Sequence, residues 1–76
     1  MCAVKAELTP IEQEILEYLE QSAGEIVSYE DIYRKVWEAE PFRCEKVVAV
    51  HVCHLRQKME EPERITAHRK QGYCFS

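Results

Sequence analysis

Ile11, Ile15, Leu16 and Leu19 recur at intervals of one helical turn, with Glu12, Glu14, Glu17 and Glu20 between them. That period gathers the apolar residues on one face of a helix and leaves the glutamates as solvated charge on the other. The start of this helix is written in Thr9-Pro10-Ile11-Glu12. The Thr9 hydroxyl can accept from the backbone N–H three residues on, and Glu12 can reach back to the Thr9 N–H. Pro10 stands at the first helical position, where a missing donor is harmless. Gly24 supplies a stop, so the first helix is predicted over about Pro10–Ala23.

Ile26-Val27 is a short apolar pair suited to a strand of two or three residues. Ser28-Tyr29-Glu30-Asp31 is a second capping signature, and Tyr29, Ile32, Tyr33, Val36 and Trp37 follow at helical spacing to a predicted end near Trp37. Glu38 to Arg43 lacks periodicity and contains Pro41, so it reads as a loop. Val48, Val52, Leu55 and Met59 step by four, three and four, which predicts a helix over about Cys44–Glu60, closed before Pro62. The β-branched Val47, Val48, Val50 and Val52 raise a strand as the alternative, but strict alternation fails after Val52 and the helical stripe continues. Ile65–His68 and Gly72–Phe75 are β-prone and flank Arg69-Lys70-Gln71, a hairpin with a basic tip. The order is helix, short strand, helix, loop, helix, hairpin. The predicted class is α+β, a winged helix-turn-helix forming a single domain over residues 1–76.

A chain of 76 residues holds one small domain, and one this short buries only about 60% of its unfolded surface. Its 46% hydrophobic content supports one core. No apolar run approaches the length of a membrane span, and Met1-Cys2-Ala3-Val4-Lys5 lacks a secretory stretch. A soluble, cytoplasmic protein with free Cys2, Cys44, Cys53 and Cys74 thiols is the expectation. The net charge of −4 is unevenly spread: residues 1–43 carry ten acidic and four basic side chains, residues 44–76 four acidic and six basic. The chain has an acidic front and a mildly basic back.

Four segments, in order, resemble the DNA-binding effector domain of OmpR/PhoB-type bacterial response regulators. Leu8-Thr9-Pro10-Ile11-Glu12 with Ile15-Leu16-Glu17-Tyr18-Leu19 is similar to that family's opening LTPxExxLLxxL helix. Ile26 to Ile32 with Val36-Trp37 resembles its second helix. Val48, Val50-His51-Val52, Leu55-Arg56 and Lys58-Met59 resemble its third, VDVHIxxLRxKL. Arg69, Gly72-Tyr73 and Phe75 resemble its closing RGxGYxF hairpin. Each segment alone is weak, but four collinear segments are specific.

The resemblance implies a transcription regulator whose third helix enters the major groove of double-stranded DNA while the wing reaches the minor groove. Base contacts then fall to Val47, Val50, Cys53 and His54, phosphate contacts to Trp37, Lys46, Arg56 and Lys58, and the wing contact to Arg69 and Lys70. It further implies a tandem dimer on direct repeats and a polymerase-contacting loop through Glu38, Glu40, Phe42 and Arg43. A receiver domain upstream and a four-stranded sheet ahead of the first helix also belong to the family pattern. At most the last strand of that sheet, about Ala3–Leu8, has a counterpart here. Lys46-Val47, Ala49, Cys53, His54, Ala67 and Lys70 depart from the family's usual residues, so its sequence preference should differ.

The residues argue the same case physically. Opposite the Val48–Met59 stripe lie Lys46, Val50, Cys53, His54 and Gln57, which offer donors and small apolar groups to base edges. His54 suits an N7 or O6 acceptor, Val50 a thymine methyl, and Lys46 and Arg56 suit phosphates. The plain alternative is a solvated helix face, with Trp37 as core and Phe42 tucked against the third helix. Arg69 and Lys70 suit the negative potential of a narrow minor groove, although a charged hairpin tip is also ordinary surface.

His51, His54, His68, Cys44, Cys53 and Cys74 show no paired metal-ligand spacing, so no metal or cofactor is expected. His51 instead fits a half-buried position beside the core stripe. No nucleophile–His–acid set or phosphate-cradling glycine loop is present, and an enzyme is not predicted. The acidic total supports one rival reading, a winged helix used as a protein-interaction module with little DNA affinity.

Overall fold

The Thr9 hydroxyl accepts the Glu12 N–H at 3.2 Å and the Glu12 carboxylate accepts the Thr9 N–H at 3.0 Å, so the first helix starts where its capping box predicts. The computed structural model describes Val4 and residues 6–76. Helix α1 runs Pro10–Gln21 and is followed by strand β1, Ile26–Ser28. Helices α2 (Tyr29–Trp37) and α3 (Cys44–Lys58) come next. A 3₁₀ turn, Pro62–Arg64, leads into strands β2 (Ile65–His68) and β3 (Gly72–Phe75).

Helix α1 stops at Gln21, short of the predicted Ala23. The Ser22 N–H already closes the last turn on the Tyr18 and Leu19 carbonyls, and Gly24, at φ +88°, swings the chain toward β1. The Gly24 N–H then donates to the Phe75 carbonyl at 2.8 Å, which ties the end of α1 to the last strand. At α2 the Ser28 hydroxyl accepts the Asp31 N–H at 3.1 Å, the forward half of the signature read there.

Strands β2 and β3 form the predicted antiparallel hairpin, and β1 adds to the other side of β3, giving the order β1-β3-β2. Val27 stands opposite Tyr73 and Ser28 opposite Gly72. The close approach explains the glycine: a Cβ on residue 72 would run into the Val27 carbonyl and lie 2.8 Å from the Ser28 Cα. Three helices with this small sheet are the winged-helix arrangement.

The core lies where the helices meet the sheet. Ile15 and Leu19 of α1, Ile32 of α2, Val48 and Leu55 of α3 and Ile65 of β2 are fully buried. Burying each such side chain contributes about 1.5–3 kcal/mol before entropy is counted. Helix α3 is confirmed over its strand alternative, since Val48, Val52 and Leu55 all face this core.

Helix α3 ends at Lys58 instead of Glu60, because Met59 leaves the helix for extended backbone (φ −85°, ψ 145°). Its side chain is buried at 0% exposure and its backbone bridges Val4 in antiparallel fashion. Of the strand expected at about Ala3–Leu8, Ala3 and Lys5 lie outside the described residues, and Ala6 to Leu8 are not strand. Among the described residues no helix is long and apolar enough to cross a membrane.

Candidate nucleic-acid interface

With Val48, Val52 and Leu55 turned inward, the outer face of α3 carries Lys46, Val50, Cys53, His54 and Gln57, all exposed. Val50 is 52% exposed, an unusual position for a β-branched apolar residue in mid-helix. Val47 is half-buried at the edge of this face. Its carbonyl accepts a hydrogen bond from His51 Nδ1 at 2.8 Å, so that ring nitrogen carries a proton. The other side of His51 meets Trp37 edge-on, with centroids 5.1 Å apart, and Trp37 stacks on Tyr33 at 5.0 Å. His51 is therefore half-buried beside the core stripe, as expected.

Trp37 packs against the core and yet remains half-buried. Its indole N–H has no hydrogen-bond partner among the described residues, so core packing and an unengaged donor coexist in one side chain.

The wing projects Arg69 and Lys70 from the turn between β2 and β3, both exposed. Lys70 holds a left-handed conformation, φ 63°, where glycine is the easiest residue. The Gln71 N–H closes the turn on the His68 carbonyl at 2.9 Å. The wing is anchored below by Tyr73, whose ring meets Tyr29 of α2 edge-on at 5.6 Å. Burial, with Tyr29 beside it, pushes the Tyr73 hydroxyl above its usual 10.0 and keeps it neutral. Lys46, Arg69 and Lys70 make no ion pair or hydrogen bond among the described residues, so their charge is available.

Three charged side chains of the expected set are engaged within the fold. Lys58, expected at a phosphate, has its Nζ 2.7 Å from a Glu12 carboxylate oxygen on the α1 side, away from the outer face of α3. Glu12 was placed among the solvated glutamates, yet it is 3% exposed, whereas Glu14 and Glu17 are on the surface. Burial alone raises the Glu12 carboxyl; the Lys58 ammonium and the Thr9 N–H and hydroxyl outweigh it, and the net value falls below the ordinary 4.5. Arg56 is half-committed: its Nε donates to the Pro62 carbonyl at 3.2 Å and holds the chain leaving α3.

Between α2 and α3, Glu38 and Arg43 both adopt left-handed backbone, and Glu38, Glu40, Phe42 and Arg43 are exposed. Phe42 is 70% exposed, not tucked away, and the Arg43 guanidinium lies over its ring, 5.6 Å from the centroid. Cys44, Cys53 and Cys74 are free thiols, and Cys2 lies outside the described residues. Among the described residues no three His, Cys, Asp or Glu side chains gather where a metal would sit.

Three helices, the third with an exposed outer face, packed with a basic β-hairpin, define a winged helix-turn-helix domain. The model of the family described as "Transcriptional regulatory protein, C terminal" matches residues 4–75, and the chain belongs to that family, the effector domains of OmpR/PhoB-type response regulators. It is 40% identical over 72 residues to the DNA-binding dual master transcriptional regulator RpaA of Synechocystis. That match covers 90% of this chain and spans 30% of the length of RpaA. In structure it is similar to the DNA binding domain of CpxR from E. coli, with a TM-score of 0.78 and 26% identity over 91% of this chain and 72% of that one. It is also similar to the C-terminal domain of the nisin resistance regulator NsrR, with a TM-score of 0.75 and 30% identity over 92% of this chain and 74% of that one. The family is one of transcription-regulator domains and not of enzymes.

Proposed function

We propose that this domain binds double-stranded DNA sequence-specifically and regulates transcription as the output domain of a two-component response regulator. In this reading α3 enters the major groove, with Val47, Val50, Cys53 and His54 toward base edges. Arg69 and Lys70 meet the minor groove, while Lys46, Trp37 and the free N–H groups of Arg56 hold phosphates. The observation that carries the reading is the pairing of an outward α3 face, with Val50 52% exposed, and two unengaged cations at the wing tip. The relatives RpaA and CpxR, each described as DNA-binding, support it.

The same reading includes binding as a tandem dimer on direct repeats and a receiver domain upstream, which the likeness to response regulators supports. The exposed Glu38–Arg43 loop is the surface offered to RNA polymerase, with Phe42 as its apolar anchor. Selection of bound duplexes from a randomised pool, with affinity followed over a salt series, tests the reading. Enrichment of a direct repeat, with affinity falling as salt rises, is the expected result. The net charge of −4 favours one rival, a protein-interaction module; an unenriched pool with no salt-dependent binding would overturn the DNA-binding reading for this segment and leave that rival standing.

A further inference from the structure

Helix α3 presents little charge along the part of its outer face that would reach bases. Lys58 is spent on Glu12 and the Nε of Arg56 on Pro62, so the exposed polar side chains in its C-terminal half are His54 and Gln57. Val50 and Gln57 are seven residues apart, two turns of helix, and so fall within about 20° of one line along the axis. That line is opposite the buried Val48, Val52 and Leu55, and both side chains are exposed, Gln57 beside the cleft that Ala67 and Tyr73 of the hairpin form with α3. The Gln57 amide lies 3.8 Å from the Cys53 sulfur, a weak contact that lays it along the helix surface without consuming its hydrogen-bonding capacity.

A primary amide offers one donor and one acceptor side by side, the complement of the N6 and N7 edge of adenine. A valine methyl pair is the complement of the thymine C5-methyl. The two lie on the order of 10 Å apart along the helix axis, which corresponds to about two to three base pairs. Resting on the DNA-binding reading above, in which Val50 already meets a thymine methyl, we propose that Gln57 is a specificity-determining residue that reads adenine two to three base pairs from that thymine. Every half-site then carries two A·T pairs at that spacing, with no arginine-read guanine between them.

The test is selection from a randomised duplex pool by the unaltered protein and by Gln57→Ala, Gln57→Glu and Val50→Ala. Both positions are exposed, and circular dichroism of each variant confirms folding. The expected result is a motif with two A·T columns at that spacing. Gln57→Ala flattens one column, lowering its preference for adenine on the order of tenfold, and leaves the other intact. Gln57→Glu turns the same column toward cytosine, whose N4 amine a carboxylate accepts. Val50→Ala flattens the other column only. A motif that Gln57→Ala and Gln57→Glu leave unchanged overturns the proposal while DNA binding stands. A pool unenriched by the unaltered protein removes the DNA-binding reading and this inference with it.

Discussion

Lys58 and Glu12, 46 residues apart in sequence, meet at 2.7 Å and join the last turn of α3 to the first turn of α1. The same Glu12 carboxylate also caps the Thr9 N–H, so one side chain both starts α1 and ties the last turn of α3 to it. The two helices in question are the first that the chain enters and the one that carries the proposed reading face.

Removing either partner should destabilise the domain. Lys58→Ala leaves a buried carboxylate without its cation and is expected to cost about 1–3 kcal/mol, moderated because the lysine is partly exposed. The Glu12 carboxyl is held below its ordinary 4.5 in the fold, so its stabilising contribution is complete above that pH and is lost as pH falls through the lowered value. Urea midpoints measured across that acidic range should fall with pH for the unaltered protein and fall less for Glu12→Gln. Parallel curves would show that the pair contributes nothing.

Gly72→Ala should be among the most damaging single substitutions in the sheet. The atoms a Cβ would meet are the carbonyl and Cα of Val27 and Ser28, which are backbone and cannot rotate away. The β1–β3 pairing must open, with a loss of at least about 3 kcal/mol. Thermal unfolding reads this directly, and a midpoint within a few degrees of the unaltered protein would contradict it.

Lys70→Gly separates stability from binding. Relief of the left-handed lysine, φ 63°, should stabilise the wing by about 1 kcal/mol. Loss of the charge should weaken DNA binding and reduce the slope of log affinity against log salt by about one. A variant that is more stable and binds less tightly is the expected outcome of denaturation and titration together.

Arg69→Ala should weaken duplex binding markedly and leave stability within about 0.5 kcal/mol, since Arg69 is exposed and unpaired among the described residues. Fluorescence anisotropy on a selected duplex measures the loss, and equal affinity would remove the wing from the interface.

Local chemistry made much of this domain legible in the sequence. Thr9, Pro10 and Glu12 start α1, Ser28 starts α2, and Val48, Val52 and Leu55 define the buried stripe of α3, because caps and helical periods depend on residues a few positions apart. The outward placement of Val50, Cys53, His54 and Gln57 follows from that stripe by geometry alone. The hairpin and its basic tip are equally local, set by two short β-prone runs around three residues.

Tertiary structure decided what depends on partners far away in the chain. Periodicity treats Glu12 like Glu14 and Glu17, and only the arrival of Lys58 from α3 makes its burial tolerable. Lys58 and Arg56 are cations in any reading of the sequence, but the fold commits one to Glu12 and ties the other to Pro62. The pairing of Ile26–Ser28 with Gly72–Phe75 joins segments more than forty residues apart, and the exit of Met59 from α3 answers to the core and to Val4. Spacing determines which face of a helix is apolar; packing between elements determines which charges are left free to meet a ligand.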